Sequence, residues 1–215
     1  MYFGLVTDSF STGDVTSSVT GYNSSYSGGI AGYVNGGTIK GGYSNGNVAS
    51  SVSSNIVDGA YSGGIAGHVT GGTIADSYST GDITSSVGNI NTRGVSGGIA
   101  GHVSGSSINN CVAINEKIFA GEHAGRIAGY IQGAAAVSNN FALTNMNASG
   151  VAKFDVSNKA SHGVSKTNTE LRTQSSYSNT ISGDGLGGLG WKFGNNSNNP
   201  WKMPVGGGYP IQYWQ

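Results

Sequence analysis

One five-residue block limits what this chain can become: Gly28-Gly29-Ile30-Ala31-Gly32, Gly63-Gly64-Ile65-Ala66-Gly67, Gly97-Gly98-Ile99-Ala100-Gly101 and the variant Gly125-Arg126-Ile127-Ala128-Gly129, at steps of 35, 34 and 28 residues. Units of that length cannot each bury a core, so they must stack on one another. A second block follows each copy: Thr38-Ile39 leads to Tyr43, Thr73-Ile74 to Tyr78, and degenerate versions run Ser107-Ile108 to Val112 and Ala136-Val137 to Phe141. Phe10 to Val15 reads as a half-repeat, so the chain begins inside a coil and reads as a fragment of a longer protein.

With one repeat per coil, stacking lines like residues up at about 4.8 Å. The expected apolar ladders are Ile30, Ile65, Ile99, Ile127 and Val34, Val69, Val103, Ile131, with a second wall of Ile39, Ile74, Ile108, Val137 and Tyr43, Tyr78, Val112, Phe141. The doubled glycines fit a corner needing positive φ or close backbone approach. What varies lies between the Val15/Val48/Ile83/Ile118 position and the next double glycine, which predicts loops at 19–25, 52–60 and 87–94 on one face. Two shorter turns per repeat, the variable stretch forming the extra one, fit the spacing as well.

Composition supports an all-β chain. Gly, Ser and Asn make up 91 of 215 residues, which excludes helix as the main architecture. Ten basic and ten acidic residues leave no net charge and no basic surface for nucleic acid. The lone Cys111 allows no internal disulfide. No apolar run is long enough for membrane insertion.

Gly-Gly-Ile-Ala-Gly, followed by Thr-Ile and Tyr-Ser-Thr-Gly-Asp, resembles the GLUG motif over residues 4 to 146. That resemblance implies a repeat region of secreted bacterial surface proteins, among them adhesins and the non-catalytic regions of immunoglobulin A-cleaving metallopeptidases. Glu170-Leu171, Trp191-Lys192-Phe193, Pro200-Trp201-Lys202 and Gly208-Tyr209-Pro210 resemble the segment that closes such arrays. The fold class expected is therefore all-β, a right-handed parallel β-helix (solenoid) of about four to five coils with a C-terminal aromatic cap. Its repeats occupy 1–146, a linker 147–169 and the cap 170–215, and Arg126 departs from the pattern in the last copy.

Candidate ligand-binding residues are Tyr22, Tyr33, His68, His102 and Tyr130, plus Tyr209, Tyr213 and Trp214, which could form a sugar-binding platform on the cap. His68 and His102 share a repeat position with Tyr33 and Tyr130 and should stack on an outward face. Neighbouring residues supply no third or fourth zinc ligand, so they read as a surface ladder rather than a metal site. His123 belongs to no His-Glu-x-x-His sequence. The column Asp14, Asn47, Asp82, Glu116 reads as turn-capping rather than calcium-binding. Cys111 aligns with Gly42, Ser77 and Asn140 on a stacked wall and reads as buried and inert. No cofactor is implied.

These features point to a non-enzymatic structural and adhesive module of a larger extracellular or cell-surface protein, a rigid spacer presenting loops to host glycans or proteins. Other domains of the parent chain, and end-to-end self-association at the uncapped N-terminal end, are its further expected partners. A carbohydrate-active β-helix enzyme, lyase-like or hydrolase-like, is the alternative, although clustered carboxylates with a basic group on one face are missing from the pattern. Flat threonine rows for ice binding lack regular Thr-x-Thr repeats.

Overall fold

A computed structural model of the chain describes residues 1–21, 23–53, 59–88, 92–150, 159–178 and 188–215. It is a parallel β-solenoid of about four turns, with one repeat per coil. Each coil runs through five short walls, seen in Ala31–Asn35, Thr38–Lys40, Tyr43–Ser44, Val48–Val52 and Gly59–Gly63 before the next coil starts at Ala66. Every wall pairs in parallel with its counterparts in the neighbouring coils, in the register of the repeat: Val34 on Val69 on Val103 on Ile131, and Val6 on Ile39 on Ile74 on Ile108 on Val137. Ile65, Ile74, Ile99, Ile108 and Ile127 are fully buried in one continuous core.

Two columns of left-handed backbone turn the coil. Phe3, Gly36, Gly71, Gly105 and Gly133 form one; Asp8, Gly41, Asp76, Asn110 and Asn139 form the other. Gly, Asn and Asp adopt this conformation at least cost. The doubled glycines, by contrast, do not have positive φ. They are there for close approach: a Cβ on Gly64 would run into the Gly98 carbonyl oxygen and the Ser79 side chain.

The variable stretch is not simply loop, because it supplies the fourth and fifth walls, which pack on each other through serine. Ser25 Oγ donates to Ser17 Oγ (2.9 Å), Ser50 and Ser62 share a hydrogen bond (2.6 Å), and so do Ser85 and Ser96 (2.6 Å). Ser27, Ser62 and Ser96 each donate to a carbonyl of the next coil's fourth wall, those of Ala49, Thr84 and Phe119. Beyond Val48, Ile83 and Ile118, which belong to the apolar core, the contact between these walls is polar, yet the hydroxyls named are paired, so their burial carries no desolvation penalty left unmet. Most of the uneven repeat length is absorbed between these two walls, where Val52 and Gly59 bracket a longer connection than Ala120 and His123; the step from third to fourth wall adds one residue at Val112 to Ile118 compared with Tyr78 to Ile83.

The ends differ from the sequence reading. The stretch expected as a linker contains a fourth-wall strand, Asn147–Gly150, and a third-wall strand, Val164–Lys166, that adds a partial coil beyond Phe141–Leu143. Arg126, 2% exposed, sits where earlier copies have the second glycine, and its guanidinium donates to the Leu143 carbonyl and, in this closing segment, to the Gly163 carbonyl and Ser165 Oγ. The aromatic tail packs along the flank of the third wall rather than over the end. Tyr43 and Tyr78 are stacked 5.0 Å apart and buried, not in the coil interior as expected, but in a second cluster with Trp191, Trp201 and Tyr177. Tyr43 and Tyr78 hydroxyls donate to Gln215 Oε1 and the Pro210 carbonyl, and Gln212 Nε2 donates to the Gly41 carbonyl.

Two substitutions test the register. Ile65→Asp puts an unpaired charge between Ile30 and Ile99 and should cost about 4 kcal/mol or more in denaturant unfolding; an unmoved midpoint would place Ile65 on the outside. Gly64→Ala should cost about 3 kcal/mol from overpacking. Gly71→Ala, where φ is +59° but space is open, should cost only about 1 kcal/mol.

Candidate functional site

The first and fifth walls meet along a seam, and the sequence places rings on both sides of it. Position 33 of the first wall recurs as His68, His102 and Tyr130, paired in register. Position 26 of the fifth wall recurs as Tyr61, Val95 and His123. Two extended strands running side by side, each projecting every second residue outward, bring these columns into contact. Tyr26 and Tyr61 stack at 5.4 Å, Tyr26 lies 5.5 Å from Tyr33 and from His68, and Tyr61 lies 5.7 Å from both His68 and His102. His123 stacks on Tyr130 at 4.9 Å, and Arg93 lies over the same ring.

Four of the expected residues, Tyr33, His68, His102 and Tyr130, are thus brought together in one column. Tyr26, Tyr61 and His123 were missed. Their signal was present in the sequence as the residue two before each double glycine, in Tyr26-Ser27-Gly28-Gly29 and Tyr61-Ser62-Gly63-Gly64. Tyr22 lies outside the described residues. Tyr209 is elsewhere, its hydroxyl on Asn168 Oδ1 and its ring under Arg172. Tyr213 and Trp214 meet edge to face at 4.8 Å near the chain end.

The imidazole column is less outward than expected. His68 and His102 are 4.4 Å apart between ring centroids, and His102 is only 8% exposed. His68 Nδ1 and His102 Nε2 are buried without a hydrogen-bond partner, and His68 Nε2 is paired with Thr70 Oγ1. Fifth-wall rings cover the column from the side, which the ladder register alone could not show. Burial therefore holds both imidazoles below the usual range, His68 at about 4, with the neighbouring imidazole pushing His68 further down and Arg93 doing the same to His102. Among the described residues, no group of three or more His, Cys, Asp and Glu side chains could hold a metal ion.

The other expected chemistry resolves into backbone capping. Asp14 Oδ1 accepts from the Asn47 amide (2.7 Å) and Asn47 Oδ1 from the Asp82 amide (2.9 Å), each coil capping the next. Glu116 is not in that column: Ile83 pairs with Ile118, which puts Lys117 opposite Asp82. Ser77 Oγ accepts from Gly42 N and Asn140 Oδ1 from Cys111 N. Cys111 is fully buried in this column, which pushes its thiol well above the usual range. Among the described residues, no helix is long and apolar enough to cross a membrane.

The imidazole column predicts acid sensitivity. His68 is disfavoured from protonating in the fold, so its contribution is complete above about pH 6.5 and is lost as pH falls from there towards 4. Denaturant titration should show the fold weaker by about 2 kcal/mol at pH 4.5 than at pH 8 from this source. The double change His68→Phe with His102→Phe, which keeps the ring stack, should shrink that difference; an equal difference in the variant would assign the sensitivity elsewhere.

The family model described as the GLUG motif matches residues 58–84. Neither the curated proteins nor the solved structures gave a match. The matched span carries one rung of each apolar ladder, Ile65, Val69, Ile74 and Ile83, together with Tyr78 of the flank and His68 of the seam. The described part of the matched span, 59–84, thus runs from the fifth wall of one coil through the first three walls of the next to the start of its fourth, and this stretch of the parallel stack matches the GLUG motif.

Proposed function

We propose that the chain is a rigid structural and adhesive module of a larger secreted bacterial surface protein, holding variable connections away from a constant stack so that they engage host glycans or surface proteins. The observation that carries this reading is where the variation sits. Ladders keep their apolar character and their register in the first three walls, while most of the differences in length fall between the fourth and fifth walls. Those two walls are themselves in register, Val19 on Val52 on Val87 and Gly28 on Gly63 on Gly97. Their connections therefore leave successive coils at one corner. Such a surface can change its specificity without touching the core, as binding loops on a fixed scaffold do.

Replacing residues 54–58 and 89–91 by Gly-Ser segments of equal length tests it. Binding to an array of mammalian glycans and to host-cell surface protein should fall at least tenfold in the replaced chain, while its melting midpoint stays within a few degrees. Undiminished binding, or cleavage of a polysaccharide by the unaltered chain, would overturn the adhesive reading.

A further inference from the structure

The strap that the tail forms along the third wall leaves a cavity of about 410 Å³ against the second left-handed corner, with Asp8, Lys40, Asp76, Asn110, Trp191 and Lys192 among its lining residues. That volume falls in the range of small-ligand sites, about 300–1,000 Å³, which form preferentially where two structural units meet. We propose that this cavity binds a saccharide, adjacent hydroxyls of a neutral sugar donating to the Asp8 and Asp76 carboxylates and accepting from the Lys40 and Lys192 ammonium groups.

Its frame is held from both sides. Trp191 Nε1 donates to the Asn110 carbonyl (2.8 Å) and Gln212 Nε2 to the Gly41 carbonyl (2.6 Å), so the tail is fastened to the corner one coil above and one coil below Asp76. Asp76 is oriented in turn, its Oδ1 accepting from Asn110 Nδ2 (3.2 Å) and its Oδ2 lying 3.6 Å from Lys40 Nζ. Gly41 stands in the column between the two acids; a Cβ there would run into the Asp8 carboxylate, so the absence of a side chain at 41 is what lets that carboxylate lean over the corner. Burial raises the Asp8 carboxyl above its usual range, against the pull of Lys40, which marks it as a partly desolvated acceptor.

Charge selects the ligand class. Two carboxylates and two ammonium groups sum to zero, so a small anion or cation gains from one pair what it loses to the other. A hydroxyl donates and accepts at once, and neighbouring hydroxyls on a sugar ring present that combination in series to acceptor-only carboxylates and donor-only ammonium groups. Trp191 contributes an apolar stretch of wall.

This inference does not depend on the loop reading, and the same array separates the two. Asp8→Asn and Asp76→Asn keep residue types that tolerate left-handed backbone, and Lys192→Gln lies on the exposed surface of the tail. Each should weaken binding of a neutral glycan, measured by titration of the full chain with the free sugar, at least tenfold with the melting midpoint unchanged. The chain with residues 54–58 and 89–91 replaced should retain that binding. Neutral-glycan binding unaffected by all three variants, an array that captures only anionic glycans or none, or calcium binding that Asp8→Asn and Asp76→Asn abolish without any sugar affinity, would overturn the proposal. If an acid variant fails to fold, the Lys192→Gln titration alone decides.

Discussion

The parallel hydrogen-bond ladder between coils governs everything else in this molecule. It spaces neighbouring backbones at about 4.8 Å, so any side chain that does not fit over its own kind breaks the register of a whole wall. Isoleucine and valine survive that demand in the core, where each fills the gap above the last. Glycine survives where two backbones press together, as at Gly64 under the Gly98 carbonyl. Arg126 is the exception, and its position explains it: with only the closing segment beyond, the glycine's place holds a long side chain whose guanidinium donates to the Leu143 and Gly163 carbonyls.

A solenoid normally hides apolar groups inside and leaves polar ones outside, yet this coil has two kinds of interior. The part enclosed by the first three walls and the start of the fourth, at Val48, Ile83 and Ile118, is packed with isoleucine and valine, while the rest of the fourth wall meets the fifth through serine hydroxyls that bond each other and the adjacent coil's carbonyls. The polar half gains less per residue from water exclusion than the apolar half, but it accepts short or long connections at its corner because no apolar plug has to be matched across the gap. Tolerance of variation and polarity of packing are thus one property seen twice. The third wall works the other way: Tyr43 and Tyr78 offer too much apolar area for a solvent-facing flank, and the tryptophan-bearing tail covers it.

The coil register, and with it nearly all of the apolar core, was legible in the sequence because a parallel stack maps sequence period directly onto spatial neighbour. Ile65 over Ile30 and His68 beside His102 follow from counting residues. The sequence also set the tryptophan-bearing tail apart from the repeats, and offered close approach or positive φ for the double glycines, of which close approach is what the backbone shows. Counting misplaced Glu116 by one residue, because the connection from Val112 to Ile118 is one residue longer than that from Tyr78 to Ile83, so a count from the third wall falls short of the fourth.

Sequence by itself determined what lies above and below each residue. Only the tertiary structure decided what lies beside it: that fifth-wall Tyr26 and Tyr61 cover the imidazoles of His68 and His102, that serine walls face each other, and that the tail runs down the flank to fasten Gly41 and Asn110 rather than sealing the end. The physical reason is that neighbours along the stack are related by a constant step in the chain, whereas neighbours around the coil are set by how far each corner turns, and that turn depends on backbone angles and side-chain packing that carry no period.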